Sequence, residues 1–460
     1  MVEEFFEVAV VGSGFGGAVT ACRAAQAGRK VLVLERGKQY RPEEFRQSPL
    51  EISTNFWDPT AGLFGLLQVW SFRHLDAVVP SGVGGGSLIH ANATARMPET
   101  WFGASAQHWP LEYSDIDEHY GTVETMIGTE PVPPTLHGRD PRATVLADTA
   151  PKAGMSTREV PYLSEAQRCG AEIRPLHEVK QITAINGGYE LAYVVHRSAH
   201  PARELPRRPA FKQVRAKTVV LAAGALGSTW LLLTNRPGLP YLSGQLGTRF
   251  SANDDVPGLV TQDQERAHHL RNGRYPAAVD WGGESLSPAL GECHVRNTLP
   301  QPAADWDPSM GRMRLTDGHL DLDWPVAEPR EDGCRFRRLI RQLHPRRLSR
   351  QLDDPRRLSR PLDPSRLSRP LDPSRLSRPL DPRDPSRLSH RALTAHPLGG
   401  CPMGKDTAYG VVDKHGEAFG HPGLFVADGS VLPAPVGVSP SLTIAALAER
   451  FAHMIVKRSR

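Results

Sequence analysis

One pattern limits the fold more than any other. Gly12-x-Gly14-x-x-Gly17 lies between an apolar run at 6–12 (FEVAVVG) and a helix-forming run at 17–28, and Glu35 closes the next apolar run, 30–35. A strand, a glycine turn, a helix and a second strand ending in an acid make up a dinucleotide-binding βαβ unit. In that unit Gly12 permits the tight turn, Gly14 lets backbone approach a pyrophosphate, and Gly17 allows close helix–strand packing. The helix N-terminus supplies amides and partial positive charge for phosphates. Glu35 can accept from ribose hydroxyls and would repel a 2′-phosphate, so FAD or NAD fits better than NADP.

Further strands are expected at 171–182, 189–197, 214–224 and 424–430, with a last helix from Pro440 onward. On that helix Leu447, Phe451 and Ile455 recur at i, i+4 and i+8, a core-facing stripe. Strands that return late to a βαβ start imply an α/β nucleotide-binding fold. At 460 residues the chain is long enough for at least two domains, and 39% hydrophobic residues allow a sizeable core.

Charge and cysteine content narrow the setting. The net charge is +5, but residues 346–390 alone carry twelve Arg against six Asp and leave the remainder at −1. That segment repeats DPSRLSRPL, with Pro355, Pro364, Pro373 and Pro382 nine residues apart. Proline at that spacing prevents a long helix, and the few leucines bury too little to offset ordering entropy. It reads as a low-complexity, disordered insert. It is either a tandem expansion without a role or an electrostatic tether to an acidic partner, and a folded nucleic-acid-binding surface is not expected. Five cysteines, an odd number with no CxxC pair, argue against a disulfide framework and against a zinc site. The first residues lack the basic and apolar regions of a secretory signal, and the longest apolar run, 219–233, is too short and too polar to span a bilayer. A cytoplasmic chain with no metal is expected.

Three more stretches carry chemistry. SGVGGGSLIHANA at 81–93 places backbone amides, among them those of Gly85 and Gly86, near something flat or anionic. TVVLAAGALGS at 218–228 ends a strand at the sheet's carboxyl edge, either beside a ligand or as a structural turn. AHPLGGCPMG at 395–404 constrains His396 in a turn. The following LFVADGSVLPAPVGVSPSLTIAALAER at 424–450 contains Asp428 and Gly429 at a strand end, placed for a ribityl or phosphate contact. Ser439 before Pro440 reads as an N-cap with proline at the first helical position.

These four blocks, in this order, resemble the glucose–methanol–choline (GMC) family of flavin oxidoreductases, above all its cholesterol-oxidase-like branch. The likeness covers residues 5–125, 170–250 and 391–457. It implies FAD as cofactor and the oxidation of an alcohol, sterol-like or another bulky apolar one, with hydride passing to flavin N5 and electrons onward to oxygen or another acceptor. It implies adenosine-side contacts at Phe15, Gly16 and Glu35, and an adenine contact at Val179. Gly86 and His90 would lie along the pyrophosphate and flavin, and Gly429 would touch the flavin beside Asp428. His396 matches the active-site histidine. Ser439 stands where the sterol enzymes have asparagine.

The implied architecture is a Rossmann-like FAD-binding domain interleaved with an α+β substrate domain. FAD-binding parts fall at 1–125, 170–250 and 391–460. Substrate-domain parts fall at 126–169, which is shortened, and at 251–345, with the repeat at 346–390. Serine for asparagine, the short segment and the repeat leave a second reading, a flavin-binding paralogue with weakened catalysis.

Overall fold

A computed structural model describes residues 4–41, 56–59, 62–73, 75–89, 93–104, 108–129, 152–153, 161–196, 211–253, 255–260, 277–279, 292–297, 310–324, 392–436 and 438–460. The repeat at 346–390 lies outside the described residues, as do His90 and most of 126–160.

A seven-stranded sheet organises the chain. Its strands are β1 (Phe5–Val11), β2 (Val31–Leu34), β3 (Glu172–Arg174), β4 (His177–Ile185), β5 (Gly188–Val195), β6 (Phe211–Leu221) and β7 (Leu424–Val426). The order is β4-β5-β6-β1-β2-β3, with β7 also pairing β6. The contacts β3–β2, β2–β1, β1–β6 and β6–β7 are parallel, whereas β4–β5 and β5–β6 are antiparallel. Val8, Ala9 and Val10 of β1 are completely buried, which is why this strand reads as a continuous apolar run without alternation. Helix α1 (Phe15–Gln26) crosses between β1 and β2, and Gly28 beyond it takes φ +73°.

The longer helices that follow among the described residues are α2 (Ser114–Ile127), α3 (Pro161–Arg168), α4 (Gly224–Thr234) and α5 (Ser441–Arg458). Helix α5 packs on α1 and α2. Leu447, Phe451 and Ile455 are at most 1% exposed, each contributing about 1.5–3 kcal/mol of apolar burial. Arg23 of α1 makes a bidentate pair with Glu449 of α5, 2.7 Å on each arm, and Tyr162 of α3 donates to the same carboxylate at 2.5 Å. Three helices are thereby tied at one buried acid.

A second core lies beside this one. Strands Leu67–Ser71, Leu75–Pro80 and Ala392–Thr394 form a small sheet. Phe72, Leu75 and Ala77 pack with Phe250, Met313, Leu320 and Leu322, the last three from the hairpin of Arg312–Thr316 and His319–Asp323. Helix α4 serves both cores, giving Leu231 and Leu232 to the first and Leu226 to the second. Its all-round apolar sequence suits a helix covered on every side. A further three-stranded sheet joins Asp255–Val260, Glu292–Asn297 and Ala277–Val279. No helix among the described residues is long and apolar enough to cross a membrane.

Two sequence expectations are corrected. Residues 171–182 are not one strand: the chain breaks at Pro175-Leu176, where Leu176 takes φ +60°. The break arises because the Glu35–Gly37 backbone takes the hydrogen bonds there. Glu35 N donates to Arg174 O (3.0 Å), His177 N to Glu35 O (2.8 Å) and Leu176 N to Gly37 O (2.9 Å). Ser439 does not cap α5. The N-cap is Pro440, whose carbonyl accepts from Ile444 N at 2.9 Å, and the Ser439 hydroxyl pairs with that of Ser441 at 3.2 Å.

Candidate active site and cofactor cradle

All four glycine-rich blocks meet at the first βα turn, as the space around their glycines shows. A Cβ at Gly12 would strike the Ala222 carbonyl, lying 2.8 Å from its carbon, and one at Gly17 would lie 3.1 Å from Ala222 Cβ. A Cβ at Gly16 would overlap the Ala427 carbonyl oxygen and lie 2.7 Å from its carbon. A Cβ at Gly85 would lie 2.7 Å from Gly14 Cα, and one at Gly86 3.3 Å from the Phe15 ring. The first block therefore touches the third through Ala222, the fourth through Ala427 and the second through Gly14. Backbone stands against backbone here, and that closeness requires glycine.

Glu35 sits at the centre of this convergence. It is 5% exposed, and burial pushes its carboxyl above the usual range, opposed by its hydrogen bonds. Oε2 accepts from Ser13 N (3.0 Å) and Ser13 Oγ (2.7 Å), and Oε1 accepts from Gly37 N (2.8 Å). A carboxylate has roughly four acceptor positions. Three are filled by the chain, and the fourth, on Oε1, suits a ribose hydroxyl. Ser13 Oγ also accepts from Gly84 N at 3.0 Å, coupling the acid to the second glycine block. The N-cap of α1 is Gly14, which has no side chain to cap the helix, so the first amides face the turn. Among the described residues, the buried Ser81 Oγ next to Gly82 has no hydrogen-bond partner. An acid for ribose, uncapped helix amides for phosphate and a cradle of backbone glycines fit FAD.

Beside Glu35 lies a charged cluster that sequence reasoning missed. Val179, the predicted adenine contact, is buried on β4, 4% exposed, and pairs with Tyr193 across a bulge. Its neighbour Glu178 faces Lys180 Nζ (2.7 Å) and His196 Nε2 (2.8 Å). A carboxylate only accepts, so Nε2–H of His196 donates. Burial would raise the Glu178 carboxyl, but Lys180, His196 and Arg36 outweigh it and hold it at about 2. Arg36 donates to Gln68 and lies 5.9 Å from the Trp57 ring. The signal for this cluster was Glu-Arg-Gly after the second strand, but the pairing depends on the unforeseen break at Leu176.

Glu178 makes stability depend on pH. Its folded pKa of about 2 lies below the usual 4.5, so its contribution is complete above pH 4.5 and is lost as pH falls toward 2. Glu178→Gln is expected to cost roughly 2–3 kcal/mol near pH 6, with the gap to wild type narrowing as pH falls from 5 to 3. Thermal melts across that range test it, and a pH-independent gap would remove Glu178 from acid sensitivity.

Asp428 has a structural occupation. Oδ2 accepts from Gly224 N (2.9 Å) and Ser228 Oγ (2.5 Å), and Oδ1 from Ser430 N (2.9 Å) and Ser430 Oγ (2.5 Å). Burial pushes its carboxyl up, with those four bonds opposing. All four acceptor positions belong to the chain's own donors. The carboxylate locks the start of α4 to the turn after β7, which leaves backbone and Gly429 as this turn's means of touching a ligand.

The catalytic candidates lie along the same seam. Gly399 N donates to Gly429 O (3.0 Å), Cys401 N to Ser430 O (2.9 Å) and Met403 N to Val431 O (2.9 Å). A Cβ at Gly429 would lie 3.0 Å from Leu398 Cδ2, 3.4 Å from Ile444 Cδ1 and 3.5 Å from Pro397 O. Gly429 thus sits between the residues following His396 and the first turn of α5. His396 and Ser439 are both half-buried, and His396 N donates to Thr394 Oγ1 at 3.0 Å. The segment before α5 is further held by Trp101 Nε1, which donates to Pro435 O at 2.8 Å.

The fold and this cradle define a flavin-dependent α/β oxidoreductase. Residues 335–448 match the family described as GMC oxidoreductase, and residues 10–40 match the NAD(P)-binding Rossmann-like domain. The cholesterol oxidase of Mycobacterium tuberculosis is 26% identical over 98% of this chain and 91% of its own length. Pyridoxine 4-oxidase from Mesorbium loti has a TM-score of 0.54 at 18% identity, covering 97% of this chain and 98% of that one. A fungal aryl-alcohol oxidase gives 0.55 at 15% identity, covering 99% of each chain. Residues 335–448 thus carry a GMC oxidoreductase domain, and the chain is similar over nearly its whole length to GMC-type oxidoreductases; it is an FAD-dependent oxidase or dehydrogenase.

Proposed function

We propose that this protein oxidises an alcohol with a bulky, apolar, sterol-like carbon frame at a site made by His396, Ser439 and the head of α5. The observation that carries the proposal is the seating of Gly429 between Pro397, Leu398 and Ile444. It draws the His396 turn and the first turn of α5 onto the side of the FAD cradle. Relatives named as cholesterol oxidase and aryl-alcohol oxidase support a hydroxyl donor.

In this reading His396 accepts the hydroxyl proton, a role for which imidazole is the commonest general base. The first turn of α5, whose N-cap Pro440 offers no capping side chain, directs partial positive charge at the place where negative charge develops. Ser439 orients the substrate oxygen. Bound FAD supplies the acceptor for the hydride, and oxygen is the proposed final acceptor. Gly85, Gly86, Phe15, Gly16, Val179 and Glu35 hold the cofactor's nucleotide half. A cytoplasmic setting belongs to the same proposal, motivated by the free thiols of Cys22, Cys169 and Cys401.

The test is anaerobic mixing of FAD-loaded protein with a panel of sterols, aryl alcohols and primary alcohols. Bleaching of the visible flavin bands by any of them supports the proposal. Bound flavin that no alcohol bleaches defeats it in favour of the weakened paralogue.

Ser439→Asn is expected to leave stability within about 1 kcal/mol, because among the described residues the Ser439 hydroxyl pairs with that of Ser441 and does not cap α5. An added amide donor to the substrate oxygen is worth one hydrogen bond, about fivefold in flavin reduction. Stopped-flow traces of the two proteins decide it, and a slower variant of equal stability would contradict the role.

A further inference from the structure

The stretch Ser251-Ala252-Asn253 is bonded to both candidate catalytic segments. Ser251 and Leu398 exchange two backbone bonds of 3.0 Å each. Thr394 Oγ1 donates to Ala252 O at 3.0 Å and accepts from His396 N at 3.0 Å. His396 is therefore held from both sides by this stretch.

Asn253 serves the other segment. Its Oδ1 accepts from Val436 N at 2.9 Å, and its Nδ2 donates to Val438 O at 2.9 Å. Val436 and Val438 lie outside any helix or strand, so their backbone groups have no ladder to satisfy them. One side-chain amide takes the place of that ladder. Asn253 is completely buried and holds φ +55°, a left-handed conformation that asparagine tolerates better than most residues. Left-handed backbone alone would favour glycine, so the amide is what asparagine adds.

We infer that Asn253 is a positioning residue for the oxidation. It fixes the backbone at Val436 and Val438, and with it Ser439 and the first turn of α5, at a set distance from His396. The inference rests on the reading that His396 and Ser439 flank the reacting centre. The strut comes from the part of the chain whose sequence matched the family most loosely.

Two substitutions separate its roles. Asn253→Gly keeps the left-handed backbone and removes the amide. Asn253→Asp keeps the shape and the acceptor toward Val436 while losing the donor toward Val438. In FAD-loaded protein, Asn253→Gly is expected to raise hydrogen exchange at the Val436 amide about tenfold, with β1 and β6 amides unchanged and FAD retained. Alcohol-driven flavin reduction is expected to fall by about tenfold, and Asn253→Asp to recover part of that loss. Unchanged exchange at Val436, exchange raised equally in β1 and β6, or a wild-type reduction rate despite local loosening would each overturn the inference. If no alcohol reduces the wild-type flavin, the proposed function fails by itself, and exchange at Val436 alone decides whether Asn253 holds the segment.

Discussion

Gly16→Ala is expected to yield protein that purifies without FAD and melts far below wild type. Two effects compete at this position. Alanine is the better helix former by about 1 kcal/mol, and Gly16 lies in the first turn of α1, so propensity alone favours the substitution. Space opposes it. The new methyl would overlap the Ala427 carbonyl oxygen, which belongs to backbone fixed by β7 on one side and by the Asp428 lock on the other. Overpacking a rigid site costs about 1–3 kcal/mol, and more where the obstacle is backbone. The collision outweighs the propensity gain, and any relief must move the α1 N-terminus or the 427–429 turn, both of which line the cradle. Gly121 in α2 is the control, because a Cβ there meets nothing within 4 Å. Gly121→Ala is expected to stabilise by about 0.5–1 kcal/mol. Flavin content after purification and thermal melts of the two variants read out the difference. A flavin-loaded Gly16→Ala protein with wild-type stability would mean that the first block does not press on the fourth.

His396→Ala is expected to keep FAD, because no part of the Glu35 cradle passes through the ring, and to lower alcohol-driven reduction about 10²–10⁴-fold, the size of a lost general base. Backbone bonds around His396 survive the change, since its amide, not its ring, donates to Thr394. Single-turnover reduction under anaerobic conditions isolates the step. An unchanged rate removes His396 from proton transfer. A lost flavin moves it from chemistry to cofactor binding.

Local sequence made β1, α1, β2 and Glu35 legible because apolar runs, a glycine turn and an acid follow one another within thirty residues. The α5 stripe was equally plain. What local patterning cannot see is closure over distance. The break at Leu176 is imposed by hydrogen bonds to Glu35 and Gly37, some 140 residues earlier. The Ser439 cap failed because Pro440 takes the cap position and the two flanking serines satisfy each other. Asp428 looked like a ligand contact, yet its four acceptor positions are taken by Gly224, Ser228 and Ser430, and nothing near 428 announces the first two. Asn253 was invisible for a different reason. Its importance lies in which carbonyl and amide it meets, and no periodicity records that.

Strand β7 has a consequence for how this chain can lengthen. It pairs with β6, Val219 opposite Leu424, so native pairing closes a span of about two hundred residues that includes the whole DPSRLSRPL segment. The entropy of closing so long a span grows only as the logarithm of its length. One more nine-residue unit would raise the closure cost by about 0.04 kcal/mol. Thermal energy at room temperature is about fifteen times larger. Copy number within the span is therefore almost free to drift, while the cofactor cradle that the span returns to is held residue by residue.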